Sequence, residues 1–325
     1  MHSQQGDAEK AAFIDYCRTN AARVEAELRR ALDRHAEDCG KYGPAVSAPV
    51  RLVADLCLRG GKRLRPALVA LGYEAFGGTG GAERVVAAGV AFELLQAFLL
   101  IHDDFMDGDR LRRGGPAAHV ALERTFGSAA GGAAIVAGDY AAALAQEQLL
   151  RLDLPAERLL ATLRLFARMQ LEVAHGQWRD LARADRSLEG LETTYALKTA
   201  SYTLYGPLAT GCLLAGKAEG FCQRLEDYTR PLGVAFQLRD DLLNSGGDSG
   251  ETGKSTGTDA STGRVTALSV ARGAGMDERE ASAWVERRIQ TLLSQARASV
   301  EGWDVREEAR SLFAGAILCL GMRSR

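Results

Sequence analysis

Residues 84–107, RVVAAGVAFELLQAFLLIHDDFMD, are apolar for most of their length and then turn acidic at Asp103, Asp104 and Asp107. Apolar side chains recur at three- and four-residue intervals and do not alternate, so the stretch reads as a buried helix with acids at its end. On a helix turning about 100° per residue, Asp103 and Asp107 share one narrow stripe, with Gln96 and Leu99 on it one or two turns earlier. A second stretch repeats the arrangement far along the chain. There Val234-Ala235-Phe236 leads into Gln237, Asp240, Asp241 and Asn244, again at helical spacing.

Carboxylates brought together repel one another, and one tends to take up a proton unless a cation offsets them. Acids four residues apart are common on solvated helix faces. Two sets that each emerge from an apolar run are different, because a buried charge without a partner is very costly. Oxygen donors with no Cys/His pairing beside them favour magnesium over zinc or copper.

The rest of the composition sets bounds. The chain has 325 residues, 46% hydrophobic and 25% charged, ordinary for a soluble globular protein with ample core. Its net charge of -2 argues against nucleic acid as a main partner, since phosphate backbones are bound by a marked basic excess. Cys17, Cys39, Cys57, Cys212, Cys222 and Cys319 form no C-x-x-C pair, so neither a zinc site nor a disulfide framework is indicated. The opening MHSQQGDAEKAAFIDYC lacks a basic-then-apolar leader pattern, and a cytoplasmic location is expected. The longest apolar stretch, Val85 to Ile101, contains Glu93 and Gln96; it reads as a core helix, and no stable membrane insertion is expected.

Only seven prolines occur, leaving proline-free tracts at 67–115, 156–206 and 232–325 that are rich in Ala, Leu, Arg and Glu. Helical spacing recurs in 84–102, 158–175, 191–215 and 281–297, and no convincing alternating run is found. Glycines mark loops at 77–81, 113–116 and 245–263, and Gly206-Pro207 should kink or break its helix. An all-α bundle forming one domain over 1–325 is expected.

Cations accompany both acid sets. Arg112 and Arg113 follow the first, and planar guanidinium groups grip phosphate oxygens in pairs. Lys62 and Arg65 stand beside Gly60 and Gly61 in GGKRLRP, where backbone could approach an anion. Lys254 and Arg264 lie in the glycine-spaced segment after the second set, and Lys198 sits in LKTASY. Together they describe a site for metal-bound diphosphate.

GGKRLRP, ELLQAFLLIHDDFMDGDRLRRG, GQWRDL, LKTASY and VAFQLRDD through GDSGETGKSTGTD to GRVT, in that order, resemble the trans-isoprenyl diphosphate synthases, the polyprenyl synthetase family, over about residues 50 to 270. The resemblance implies an all-helical fold with a deep central cavity, a homodimer, and catalysis with magnesium, three ions per site. Asp103, Asp104 and Asp107 match the first aspartate-rich motif, and Asp240, Asp241 and Asn244 the second. Lys62, Arg65, Gln96 and Arg113 match positions that hold the diphosphate of isopentenyl diphosphate. Arg112, Lys198, Thr199, Gln237 and Lys254 match the allylic diphosphate side, Arg264 is a further cationic position, and Gln177 and Asp180 match a pocket-lining motif. Three departures stand out: Asn244 replaces the usual third acid, Arg264 a common lysine, and Gln96 a frequent histidine.

The resemblance implies condensation of isopentenyl diphosphate with an allylic diphosphate. Phe98 and Leu99, five and four residues before the first aspartate, are implied in the floor that limits chain length, favouring geranylgeranyl over farnesyl diphosphate. On an ideal helical wheel Phe98 lies well off the Asp103 stripe, so this role comes from resemblance alone. A class I terpene cyclase would not need the second diphosphate site that Lys62, Arg65 and Arg113 suggest. A non-catalytic regulatory subunit would tolerate the softened second motif but leaves the retained acids unexplained.

Overall fold

The computed structural model describes residues 2–43, 45–183, 186–245 and 265–322, and its architecture is all-α. The chain opens with α1 (His2–Gly40), α2 (Ala48–Leu58), α3 (Leu64–Ala75) and α4 (Ala82–Asp107). Then follow α5 (Ala118–Phe126), α6 (Ala130–Leu150), α7 (Ala156–Ala182) and α8 (Leu188–Tyr195). A π-helical segment (Ala196–Tyr205) continues into α9 (Gly206–Leu214). After α10 (Glu219–Cys222) come α11 (Glu226–Ser245), α12 (Ala267–Gly273), α13 (Glu278–Glu301) and α14 (Glu307–Gly321).

The helix α4 is the axis of the fold. Gly81 and Gly108, both at positive φ (59° and 71°), bound it, and side chains from Val85 to Ala97 are buried on nearly every face. A helix apolar all round belongs in a core or a membrane; two-thirds (67%) of its most apolar window is inside the protein, packed against α6, α3 and α1. The acids Asp103, Asp104 and Asp107 occupy the last turns of this helix, so their spacing is that of a rigid element. Phe92, Leu94, Leu95, Ile101, Leu149 and Phe166 form one core region around it. A second core joins α9, α11, α13 and α14, where Tyr228 and Phe313 pack edge to face at 5.3 Å and the Tyr228 hydroxyl donates to Phe313 O at 2.9 Å. Such rings contribute both apolar area and fixed geometry.

Two local features differ from the expected helices and loops. Leu111–Arg112 and Gly115–Pro116 pair as a minimal antiparallel hairpin. Its turn residues Arg113 and Gly114 both have positive φ (51° and 72°), as a primed hairpin turn requires. At Gly206-Pro207 the helix does not break. Proline lacks the N–H and crowds the carbonyl four residues back; the π-helical turns immediately before it accommodate this, and Pro207 sits in the first turn of α9. The N-terminal α1 packs along α14, burying Phe13, while its later turns bury Val24, Leu28 and Leu32 beside α4.

Candidate active site

The π-helical segment is held by unusually close neighbours. A Cβ built on Gly176 of α7 would lie 2.4 Å from the Lys198 backbone N, and one on Gly233 of α11 would lie 2.3 Å from Ala200 Cβ. Both helices therefore approach the segment to a distance that only glycine permits. As a result Lys198 Nζ stands 2.7 Å from Asp180 Oδ2 on α7 and 3.2 Å from Asp103 Oδ1 on α4. Thr199 Oγ1 donates to Gln237 Oε1 of α11 at 3.2 Å, and the Tyr195 hydroxyl donates to Asp241 Oδ2 at 2.5 Å. The two acidic helices thus meet a common element from different sides.

Within each acid set, burial separates the members. Asp103, Asp107 and Asp240 are half-buried, whereas Asp104 and Asp241 are 1% and 8% exposed. Asp104 Oδ1 accepts from Arg112 Nε at 2.7 Å and, in a closer contact, from Nη2; Asp109 Oδ2 lies 3.3 Å from the same Nη2. Burial alone would lower the Arg112 guanidinium, but Asp104, Asp103 and Asp109 hold it above its ordinary value, so it stays charged. Burial pushes the Asp104 carboxyl up, and the Arg112 contacts oppose that. Asp241 Oδ2 also accepts the Ala267 N–H at 3.1 Å, at the positive end of α12. Asp104 and Arg112 are thus bonded to each other, and Asp241 to Tyr195 and the Ala267 N–H. The side chain of Asn244, together with Lys254 and Arg264, lies outside the described residues.

A second cationic group lies between α3, the hairpin and the π-helical segment. The Arg65 guanidinium covers the Tyr202 ring at 4.5 Å and its Nη2 donates to Thr203 Oγ1 at 2.8 Å. Its buried Nε has no partner among the described residues, and neither does Gln96 Oε1. Arg113 donates from Nη1 to Leu56 O at 3.3 Å, and its guanidinium carbon is 3.6 Å from where a Gly61 Cβ would be. Burial lowers the Arg113 guanidinium; the Glu93 carboxylate opposes this, while Arg63 and Arg65 add to it. Lys62 is exposed, and its charge opposes the burial and the Cys319 thiol that push the Cys17 thiol up to about 12.

Phe98 and Leu99 are half-buried. The Phe98 ring meets His102 edge-on at 4.7 Å, and His102 Nε2 is 3.1 Å from Ile135 O, so Phe98 faces α6 and not the Asp103 stripe. Gln177 Nε2 reaches Met106 Sδ at 3.8 Å. Tyr195, Tyr202, Thr203 and Asp109 were not expected at the site. Only Asp109 carried a hint, as an acid two residues past the first set.

The donor chemistry suits a hard divalent cation. Asp103, Asp107 and Asp240 offer carboxylate oxygen alone, and the Lys198 ammonium already rests between Asp103 and Asp180. Among the described residues no three acid, His or Cys side chains close on one point, so protein donors by themselves do not make a cage.

The family model described as polyprenyl synthetase matches residues 49–298. The chain belongs to the polyprenyl synthetase family. Its similarity to a geranylgeranyl diphosphate synthase of Methanosarcina mazei is 36% identity over 212 residues, 64% of this chain and 62% of that one. The alignment thus spans less than two-thirds of that curated relative's length. With a geranylfarnesyl diphosphate synthase of Natronomonas pharaonis the identity is 33% over 302 residues, 84% and 86% of the two chains. Among solved structures, geranylgeranyl pyrophosphate synthase from Corynebacterium glutamicum, complexed with isoprenyl diphosphate and magnesium, superposes with a TM-score of 0.83 at 30% identity, covering 93% of this chain and 98% of that one. This polyprenyl synthetase therefore shares fold as well as sequence with relatives whose names differ in product length.

Proposed function

We propose that this polyprenyl synthetase joins isopentenyl diphosphate head-to-tail to an allylic diphosphate, forming a longer trans-prenyl diphosphate. One observation carries the reading: two separate cation groups exist. Lys198 stands with Asp103 and Asp180, while Arg65, over Tyr202 and bonded to Thr203, and Arg113, bonded to Leu56 O, make a different set of contacts. Two diphosphates need two such sites; a cyclase needs one.

Asp103, Asp107 and Asp240 would hold magnesium, three ions being the count we propose, completed by diphosphate oxygens as magnesium usually is. Magnesium bound there would supply positive charge against the charge that develops on a departing diphosphate. Lys198 would bind the same leaving group, with Thr199 and Gln237 fixing the segment that bears it. Lys62, Arg65, Arg113 and Gln96 would hold isopentenyl diphosphate with its double bond toward the allylic carbon. Asp104 and Asp241 would orient, through Arg112 and Tyr195, the walls carrying the metal-binding acids. Preorganised charge of this kind costs no reorganisation when the carbon-oxygen bond breaks. Lys254, Arg264 and Asn244 are proposed to complete the allylic side.

For the product we favour geranylgeranyl diphosphate, on the family resemblance at Phe98 and on the names of several relatives. A homodimer is supported by an exposed row on α6, Gly132, Ile135, Val136, Asp139, Ala143 and Leu150, with Val136 59% and Leu150 57% exposed. Purified protein given magnesium and both substrates should release prenyl diphosphate unaided. Asp103→Ala or Asp240→Ala should cut turnover by two or more orders of magnitude, and near-normal rates in either would defeat the reading.

A further inference from the structure

Between α2 and α3 the chain makes a turn of positive φ values, Gly60 at 90°, Gly61 at 140° and then Arg63 at 46°. A glycine adopts this backbone freely, but Arg63 does not. What holds Arg63 there is its side chain, which is 2% exposed and bonded at every nitrogen. Nε donates to Glu25 Oε1 of α1 at 2.9 Å, Nη2 to Cys57 O of α2 at 2.7 Å, and Nη1 to Glu93 Oε2 of α4 in a close contact. Arg63 therefore ties one turn to three helices through three of its five N–H donors, and its burial keeps the rest from a ligand in the site.

Its partner Glu93 is 4% exposed and lies one turn before Gln96 on α4. Glu93 is also the leading charge that holds up the Arg113 guanidinium against burial, Arg63 and Arg65. One buried carboxylate thus sits beneath the cation group while the arginine that grips it shapes the turn between Lys62 and Arg65.

We propose that Arg63 and Glu93 are positioning residues for the second diphosphate. The pair sets the register of the Lys62–Arg65 turn against α4, and Glu93 serves as the fixed internal counter-charge that lets Arg65 and Arg113 remain close together with that site empty. The proposal rests on the reading of this group as the isopentenyl diphosphate site. It concerns affinity for that substrate and not the chemistry at Asp103.

The test is a double variant, Arg63→Met with Glu93→Leu, which removes both buried charges and leaves neither unpaired. Replacing a buried ion pair by apolar groups of similar volume is often neutral for stability. With saturating allylic diphosphate, the KM for isopentenyl diphosphate should rise at least tenfold. The kcat and the KM for the allylic substrate should stay within about threefold of the parent. Isothermal titration with isopentenyl diphosphate alone should show the same loss. A conservative Arg63→Lys variant, which keeps the charge but loses the fork, should fall between parent and double variant and remains informative if the double variant does not fold. An unchanged KM in a folded variant, or a parallel fall of all parameters that follows the folded fraction, overturns the proposal. Arg65→Ala is the control for the underlying reading: if it leaves the KM for isopentenyl diphosphate unchanged, the site assignment itself fails, whereas a rise in Arg65→Ala without one in the Arg63 variants sinks the positioning role alone.

Discussion

Asp103 and Asp104 are neighbours of identical chemistry, yet their replacement by asparagine should have opposite consequences for stability and turnover. Asp104→Asn leaves an acceptor for Arg112 Nε but removes the charge that pairs with a guanidinium only 7% exposed. Breaking a buried ion pair by removing one partner costs about 3–5 kcal/mol. Asp109 Oδ2, 3.3 Å from Nη2, still faces the guanidinium, which places the loss near the lower end, ~3 kcal/mol. Unfolding entropy of roughly 2.1 cal/mol/K per residue over 325 residues makes each kcal/mol worth ~1.5 °C, so Tm should fall by about 4 °C. Asp103→Asn is different. Its carboxylate is half-buried, and Lys198 keeps Asp180 at 2.7 Å when the 3.2 Å contact with Asp103 loses its charge. Tm should move by no more than about 1.5 °C, since Lys198 keeps Asp180 and the lost pair is worth at most ~1 kcal/mol, while magnesium-dependent turnover collapses. Scanning calorimetry of the metal-free proteins, paired with product formation from radiolabelled isopentenyl diphosphate, measures both. A Tm for Asp104→Asn equal to the parent's, or a larger drop in Asp103→Asn, would refute the division of labour drawn from burial.

Three further outcomes are expected. Phe98→Ala should shift the product to longer chains, read by reversed-phase chromatography of the dephosphorylated alcohols; an unchanged distribution removes Phe98 from the floor. Val136→Glu places a charge in the exposed α6 row and should yield a monomer by sedimentation velocity, whereas an intact dimer would put the interface elsewhere. Glu286, whose carboxyl is held below its usual value by the Arg239 hydrogen bond at 2.7 Å against partial burial, joins α11 to α13. A depressed folded pKa gives stability that is present above the unfolded value, about 4.3, and lost as pH falls through the folded one. Glu286→Gln should therefore narrow the gap in urea midpoint between pH 6 and pH 3, and an identical gap would show that this pair does not contribute to acid sensitivity.

The helices that sequence periodicity marks are those with dense apolar stripes. The stretch at 84–102 lies within α4, 158–175 within α7 and 281–297 within α13, each extended by a few residues where caps take over; Asp277 and Glu280, for example, form a reciprocal cap that starts α13 early. The long α1 escaped notice because its buried positions, Phe13, Val24, Leu28 and Leu32, are sparse among charged residues and are defined by the α14 and α4 surfaces they meet. Two-residue strands have no period to detect, so the Leu111–Pro116 hairpin was legible only as a glycine-rich loop. Pro207 announced a disturbance of its helix, but whether the backbone breaks or widens depends on the neighbours Gly176 and Gly233 admit, which lies outside local sequence.

The same limit applies within the acid sets, whose spacing is legible in the sequence while the burial of each member is not. Adjacent residues on a helix point about 100° apart, so the two side chains of an Asp-Asp pair leave the helix in different directions. In both sets the second member is the buried one, 1% exposed at Asp104 and 8% at Asp241, and each is bonded to groups that arrive from distant sequence, Arg112 from the hairpin and Tyr195 with the start of α12. The first member of each pair stays half-buried, and Asp103 faces Lys198 of the π-helical segment at 3.2 Å. A pair of aspartates thus does two jobs that a single one could not. One is held at the helix end by fixed donors, and the other keeps partial exposure. Adjacent acids in sequence announce that charge will be concentrated; which of them faces solvent follows from where the opposing donors arrive, and that is a property of the packed chain.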